Sequence, residues 1–139
     1  MNPVLLDTHA LVWLLSGNSR LGPRAREAIE RAAQVNNLVV SAITPWEIAM
    51  LTGKGRLVLN RDVGEWISEA LAKPGLRLAP LTPEIAVAST RMPGELHGDP
   101  ADRIIAATAR HHGAFLLTDD LLLLEYGKAG HINAIKAGI

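Results

Sequence analysis

The chain has no cysteine, which excludes disulfides, thiolate metal sites and cysteine nucleophiles together. One Phe, one Tyr and three Trp are its whole aromatic content, so the core has to be aliphatic. Neither sign of charge is in excess. The 14 Lys and Arg face 14 Asp and Glu, which leaves no global field to attract nucleic acid or an anionic membrane, and any basic surface must be local. No apolar run approaches the roughly 18 residues of a membrane span, and the N-terminus lacks the basic start and apolar stretch of a signal peptide. The expectation is a soluble, cytoplasmic protein. At 48% hydrophobic and 20% charged, the 139 residues have the composition of a folded globular chain and the length of one domain, 1–139.

Apolar periodicity and turn residues divide the chain. Val4–Leu6 is a short strand ended by Asp7, and Thr8–Leu15 is a helix broken by Ser16-Gly17-Asn18. Pro23 opens a second helix through Gln34, Leu38-Val39-Val40 reads as a buried strand, and Thr44-Pro45-Trp46-Glu47 begins a helix closed by Gly53-Lys54-Gly55. A helical stretch over Arg61–Ala72 ends at Pro74-Gly75, Leu76–Ala79 alternates as a strand should, and Thr82-Pro83 starts another helix. Arg91–Gly98 reads as a surface loop, after which Asp99-Pro100 launches a helix through His112. Ala114–Leu117 is a further strand, Asp119–Tyr126 a short helix, and His131–Ile135 an edge strand. Strands alternating with helices predict an α/β fold, a three-layer α/β/α sandwich around a central parallel sheet of four or five strands.

Four stretches carry acids where an apolar run meets a predicted helix: Val4-Leu5-Leu6-Asp7, Ser41 through Glu47, Asp99-Pro100-Ala101-Asp102, and Phe115 through Asp120. Parallel strands point their carboxyl ends toward one edge, so acids remote in sequence converge there in one crevice. Carboxylates without thiols or paired imidazoles favour a hard, oxygen-seeking divalent cation. Each acid alone also has a simpler reading as a helix cap. Thr44-Pro45-Trp46-Glu47 has the form of a capping box, with Thr44 at N-cap, Pro45 at N1 and Glu47 at N3, and Asp99-Pro100-Ala101-Asp102 is a close relative. Convergence shifts the balance, because a cap needs one acid, whereas Asp7 and Asp120 follow strongly apolar strands at the same sheet edge. Asp102 lies in register with Ile105 and Ala109 on the helix face that packs on the sheet, which aims its carboxylate inward, where it needs a cation or partner. Asp99, one turn earlier, is the better N-cap, and Asp119 the more exposed of the Asp119-Asp120 pair.

This constellation resembles the PIN-domain family of metal-dependent nucleases, in particular the VapC-type toxins of prokaryotic toxin–antitoxin pairs. The matching pieces are Leu5-Leu6-Asp7-Thr8-His9-Ala10, Ser41 through Ala49 with Glu47, Asp99 through Ala109, and Leu116-Leu117-Thr118-Asp119-Asp120. Their order and spacing carry the likeness, which spans nearly the whole chain. By that resemblance Asp7, Glu47, Asp102 and Asp120 take the family's acidic positions, catalytic and metal-holding, with Thr8, Asp99, Thr118 and Asp119 in support. Asp119 and Asp120 are adjacent and either can face the metal, the position two after Thr118 fitting the pattern better. The resemblance implies Mg²⁺- or Mn²⁺-assisted, in-line attack of water on RNA, leaving a 5′-phosphate. It also implies a small antitoxin whose C-terminal segment covers the acidic crevice, and a homodimer. Ile48, Met50 and Leu51 near Trp46 suit a dimer face and suit the core equally well.

Other residues have two readings. Lys54 and Arg56 can meet a phosphate backbone or simply complement a helix C-terminus, the latter slightly favoured. Arg103 can reach RNA, but an ion pair with Asp102 is favoured. His9 has no partner at metal-ligand spacing, and His111-His112 reads as a surface pair. Trp13, Trp46 and Trp66 belong to core or subunit packing by default, although Trp46 beside Glu47 could stack on a base. A phosphatase of haloacid-dehalogenase type needs a second Asp where His9 stands, an HD-type phosphohydrolase needs a His-Asp dipeptide, and a nucleotide-binding P-loop or Rossmann turn needs glycines after the first strand. The alternative of a different class is a catalytically silent RNA- or protein-binding module on the same fold.

Overall fold

The computed structural model of the chain describes residues 2–139. In chain order the elements are β1 (Val4–Leu6), α1 (Thr8–Ser16), α2 (Pro23–Gln34), β2 (Leu38–Ser41), α3 (Ile43–Gly53), α4 (Val63–Leu71), β3 (Leu76–Ala79), α5 (Pro83–Thr90), α6 (Pro100–His112), β4 (Phe115–Thr118), α7 (Leu121–Lys128) and β5 (Asn133–Lys136). The strands form one sheet in the order β3-β2-β1-β4-β5, and every pairing is parallel. This is the predicted α/β/α architecture, with five strands. Among the described residues no helix is long and apolar enough to cross a membrane.

Strand residues alternate between two cores, as the pleat requires. Val4, Leu6, Leu38, Val40 and Leu117 face a cluster completed by α1, α2 and α4, while Leu5, Val39 and Leu116 face one completed by α6 and α7. Burial on both faces explains why β1, β2 and β4 read as continuous apolar runs rather than as alternating ones. Ile48 is 1% exposed and belongs to the first core, so it does not contribute to a dimer face.

Element ends follow local capping. Helix α4 starts at Val63 rather than Arg61 because the Asp62 carboxylate accepts the Glu65 N–H at 3.1 Å. Helix α7 starts at Leu121 rather than Asp119 because Asp120 accepts the N–H groups of Leu122 and Leu123 at 2.9 and 3.0 Å. The predicted capping box at Thr44 does not form. Ser41 Oγ accepts the Ile43 N–H at 3.2 Å, the chain turns straight from β2 into α3, and the helix is under way before Thr44. Thr44 is therefore buried inside the first turn, its hydroxyl 3.2 Å from that of Thr8, and Glu47 is released from capping duty.

Arg103 also departs from expectation. Adjacent helix residues point in different directions, so Arg103 turns away from Asp102. Its Nε donates to the Ser89 carbonyl at 2.8 Å and its Nη1 to the carbonyls of Leu96 and His97 at 2.8 and 3.2 Å. It makes neither the ion pair with Asp102 nor a free cation for RNA. Its role is to tie the 91–98 loop to α5 and α6. Arg103→Ala should lower the unfolding free energy by about 1–3 kcal/mol and raise hydrogen exchange across residues 91–98. Urea unfolding and exchange mass spectrometry check this, and an unchanged loop would refute the clamp.

Candidate metal centre

The register places Leu6 opposite Val40 on one side and Leu117 on the other, so Asp7, Ser41 and Thr118 are each the next residue at the carboxyl edge. Asp7 is 6% exposed. Its N–H continues the ladder to the Leu117 carbonyl at 3.1 Å, and its carboxylate caps α1 by accepting the Ala10 N–H at 2.8 Å. Thr8, also buried, donates its hydroxyl to Glu47 Oε1, which aims a side chain of α3 back across the sheet edge. Asp99 caps α6 by accepting the Asp102 N–H at 3.0 Å, and Asp102 stands in the first turn above buried Ile105 and Ala109. Thr118 is buried, and its Oγ1 accepts the Asp120 N–H at 3.0 Å.

Glu47, Asp99 and Asp102 come closest together, each offering a carboxylate oxygen such that all lie within 4.8 Å of one another. Asp7 and Asp120 stand outside that group yet act on it through the field: Glu47 raises the Asp7 pKa, and Asp99, Asp120 and Glu47 all raise that of Asp102. Asp99 thus joins the centre more intimately than its reading as a cap implied. Asp119 does not join it. Its carboxylate accepts the Gly138 N–H at 3.1 Å, whereas Asp120 is the one of the pair whose charge acts on Asp102.

Burial is the main reason that the Asp7 carboxyl sits above its ordinary pKa, against the opposing pull of the Thr118 hydroxyl, the Ala10 N–H and His9. Asp102 rises from its ordinary 3.8 to about 6, chiefly through burial and then through the neighbouring acids, with the His97 hydrogen bond working the other way. That bond runs from His97 Nε2 to Asp102 Oδ2 at 2.8 Å, and sequence reading missed it because residues 91–98 carry no periodic signal. Among the described residues no Lys or Arg pairs with any of these acids. Partly buried oxygen donors crowded together, with no Lys or Arg to neutralise them, fit a hard divalent cation.

The basic residues stand apart from the acid group. Lys54 and Arg56 follow α3 and are exposed. Arg56 and Arg20 line a groove of about 610 Å³ with Trp13 and Trp66, and His9 joins its rim on the side of Asp7. His111 and His112 are exposed and contact each other edge to face.

Residues 4–129 match the PIN domain family. The chain belongs to the PIN-domain family. Over 126 residues it is 39% identical to Ribonuclease VapC22 of Mycobacterium tuberculosis, covering 91% of this chain and 93% of that protein. Its fold is similar to that in DNA-bound VapBC from Salmonella typhimurium, with a TM-score of 0.69 at 18% identity over 98% of both chains. A toxin–antitoxin complex from Klebsiella pneumoniae gives 0.61 at 22% identity, covering 96% of this chain and 97% of that one.

A carboxyl whose folded pKa lies above its unfolded value holds its proton more tightly in the fold, so its penalty is full at pH 7 and fades as pH falls through about 6 toward 3.8. In the presence of EDTA, Asp102→Asn should therefore be more stable than wild type at pH 7. The difference should shrink as pH is lowered to 5, read from urea midpoints of the two proteins; a difference independent of pH would contradict the raised pKa.

Proposed function

We propose that this chain is a divalent-cation-dependent endoribonuclease, using Mg²⁺ or Mn²⁺, and the toxin of a toxin–antitoxin pair acting in the cytoplasm. The observation that carries the metal reading is the meeting of Glu47, Asp99 and Asp102 carboxylate oxygens within 4.8 Å at the sheet edge. RNA as substrate is supported by the relative named Ribonuclease VapC22, and an antitoxin partner by the neighbour described as a toxin–antitoxin complex. The homodimer implied by the family likeness would use the outer face of α3, where Trp46 is 55% exposed.

In this reading Glu47, Asp99 and Asp102 would hold the ion, with Asp7 and Asp120 adding negative charge to the site. When bound, the ion supplies countercharge for the phosphorane-like transition state and favours ionisation of the attacking water. Thr8 fixes the Glu47 carboxylate and Thr118 supports Asp7 and the turn to Asp120. Asp7 is locked by its cap and by burial, so its carboxylate keeps one orientation. Water attacks phosphorus in line, the bond to the 3′ oxygen breaks, and a 5′-phosphate and a 3′-hydroxyl result. No 2′-hydroxyl nucleophile is needed. Arg56 and Arg20, which line the groove, would hold the flanking phosphates, with the exposed Lys54 a further candidate contact.

RNA cleavage should require Mg²⁺ or Mn²⁺, stop with EDTA, and fall at least about a hundredfold in Asp7→Asn. RNA binding without cleavage under every condition would instead favour a silent module. Mn²⁺ should also raise the melting temperature of wild type, because it binds only the folded chain. Arg56→Ala should raise KM, leave kcat close to wild type, and reduce the slope of affinity against salt by about one unit. An unchanged salt slope would remove Arg56 from the RNA path.

A further inference from the structure

We propose that His97 is a positioning residue for Asp102, holding that carboxylate in the orientation in which it meets a divalent cation; the proposal rests on the nuclease reading above. The 91–98 segment has no regular secondary structure, yet its backbone is held at His97 and over the residues that lead into it. Arg103 binds the carbonyls of Leu96 and His97, the Tyr126 hydroxyl donates to the Pro93 carbonyl, and Met92 and Leu96 pack against the core that contains Ile105 and Leu116. The loop is thus anchored, and it presents the imidazole to α6.

The bond from His97 Nε2 to Asp102 Oδ2 is 2.8 Å long, and the two side chains are only 22% and 19% exposed, so water competes little for it. The terminal torsion of an aspartate is soft. A hydrogen bond to one oxygen therefore restricts the rotation of the carboxylate that joins Glu47 and Asp99 in the acid cluster. His97 is the side-chain hydrogen-bond partner of Asp102, whose own N–H is committed to Asp99. The other ring nitrogen, Nδ1, is buried without a hydrogen-bond partner. Such an orphan costs free energy, so the ring is seated by its loop and by Asp102 rather than by its own polar needs. A proton on Nε2 makes the ring the donor and the carboxylate the acceptor. Outer partners of metal-holding groups set their orientation, and losing one weakens metal affinity by about 10–100-fold.

The test is titration of Mn²⁺ into the full-length protein by calorimetry, for wild type, His97→Ala, His97→Gln and Asp102→Asn, with melting in EDTA to verify that each variant folds. His97→Ala should bind Mn²⁺ at least about tenfold more weakly, with cleavage lost at limiting Mn²⁺ and largely restored at saturating Mn²⁺. His97→Gln, whose amide N–H reaches the place of Nε2, should bind nearly as wild type does. Wild-type affinity in His97→Ala, with Asp102→Asn impaired, would overturn the role of His97 alone. Equal weakening in His97→Gln and His97→Ala would overturn it too, because the hydrogen bond would then not be what matters. Absence of Mn²⁺ binding by wild type would overturn the nuclease reading and this proposal with it.

Discussion

The ladder that joins β1 to β2 and β4, with Leu6 opposite Val40 and Leu117, determines where the acids end up. Because all three strands run the same way, the residue that follows each one emerges at the same edge, and the helices that leave the sheet start there. Asp7, the first turn of α3 and the Thr118-Asp119-Asp120 turn share a level for that reason. Helix α6 then adds Asp102 from its first turn, and the exposed Asp99 that caps it stands alongside. The apolar content of β1 is what makes the arrangement rigid: Leu5 and Leu6 are fully buried, each in a different core. Precision at the centre is inherited from packing several residues away.

Gathering carboxylates in this way works against stability. Asp7 and Asp102 both carry raised pKa values, chiefly because burial penalises their charge, and their neighbours are acids rather than Lys or Arg. The chain offsets part of this with local dipoles: Asp7, Asp99 and Asp120 each cap a helix and accept backbone N–H groups. Those caps do not neutralise the charge; they orient it. A divalent cation would offset the charge that such a centre concentrates, which is the physical content of the proposed metal reading.

How much of this was legible in the sequence depended on whether a signal was local and periodic. The strands before Asp7 and Asp120 were readable because an apolar run ending in an acid is a short-range pattern, and the parallel sheet followed from alternation with helices. Thr44 misled because Thr-Pro-x-Glu is a capping box on paper, and only the direct turn out of β2, stabilised by Ser41, shows that the helix starts earlier. Asp102 and Arg103 are neighbours in sequence and were read as an ion pair, yet helical geometry sends them to opposite tasks. Asp99 looks like a cap in the sequence and is one, but its closeness to Glu47 and Asp102 depends on the approach of α3 and α6, which no local pattern encodes. His97 was invisible for the same reason: its partner is close in sequence, but the contact requires a loop shape fixed by Arg103 and Tyr126.

The account stands or falls on whether a divalent ion sits among these carboxylates. The most direct measurement is an anomalous-difference map from crystals of the metal-free protein soaked in Mn²⁺. The account predicts a peak at coordination distance from oxygens of Glu47, Asp99 and Asp102, with Asp7 and Asp120 facing it. A map at saturating Mn²⁺ with no peak there, or with its only peak on another face of the molecule, would contradict it.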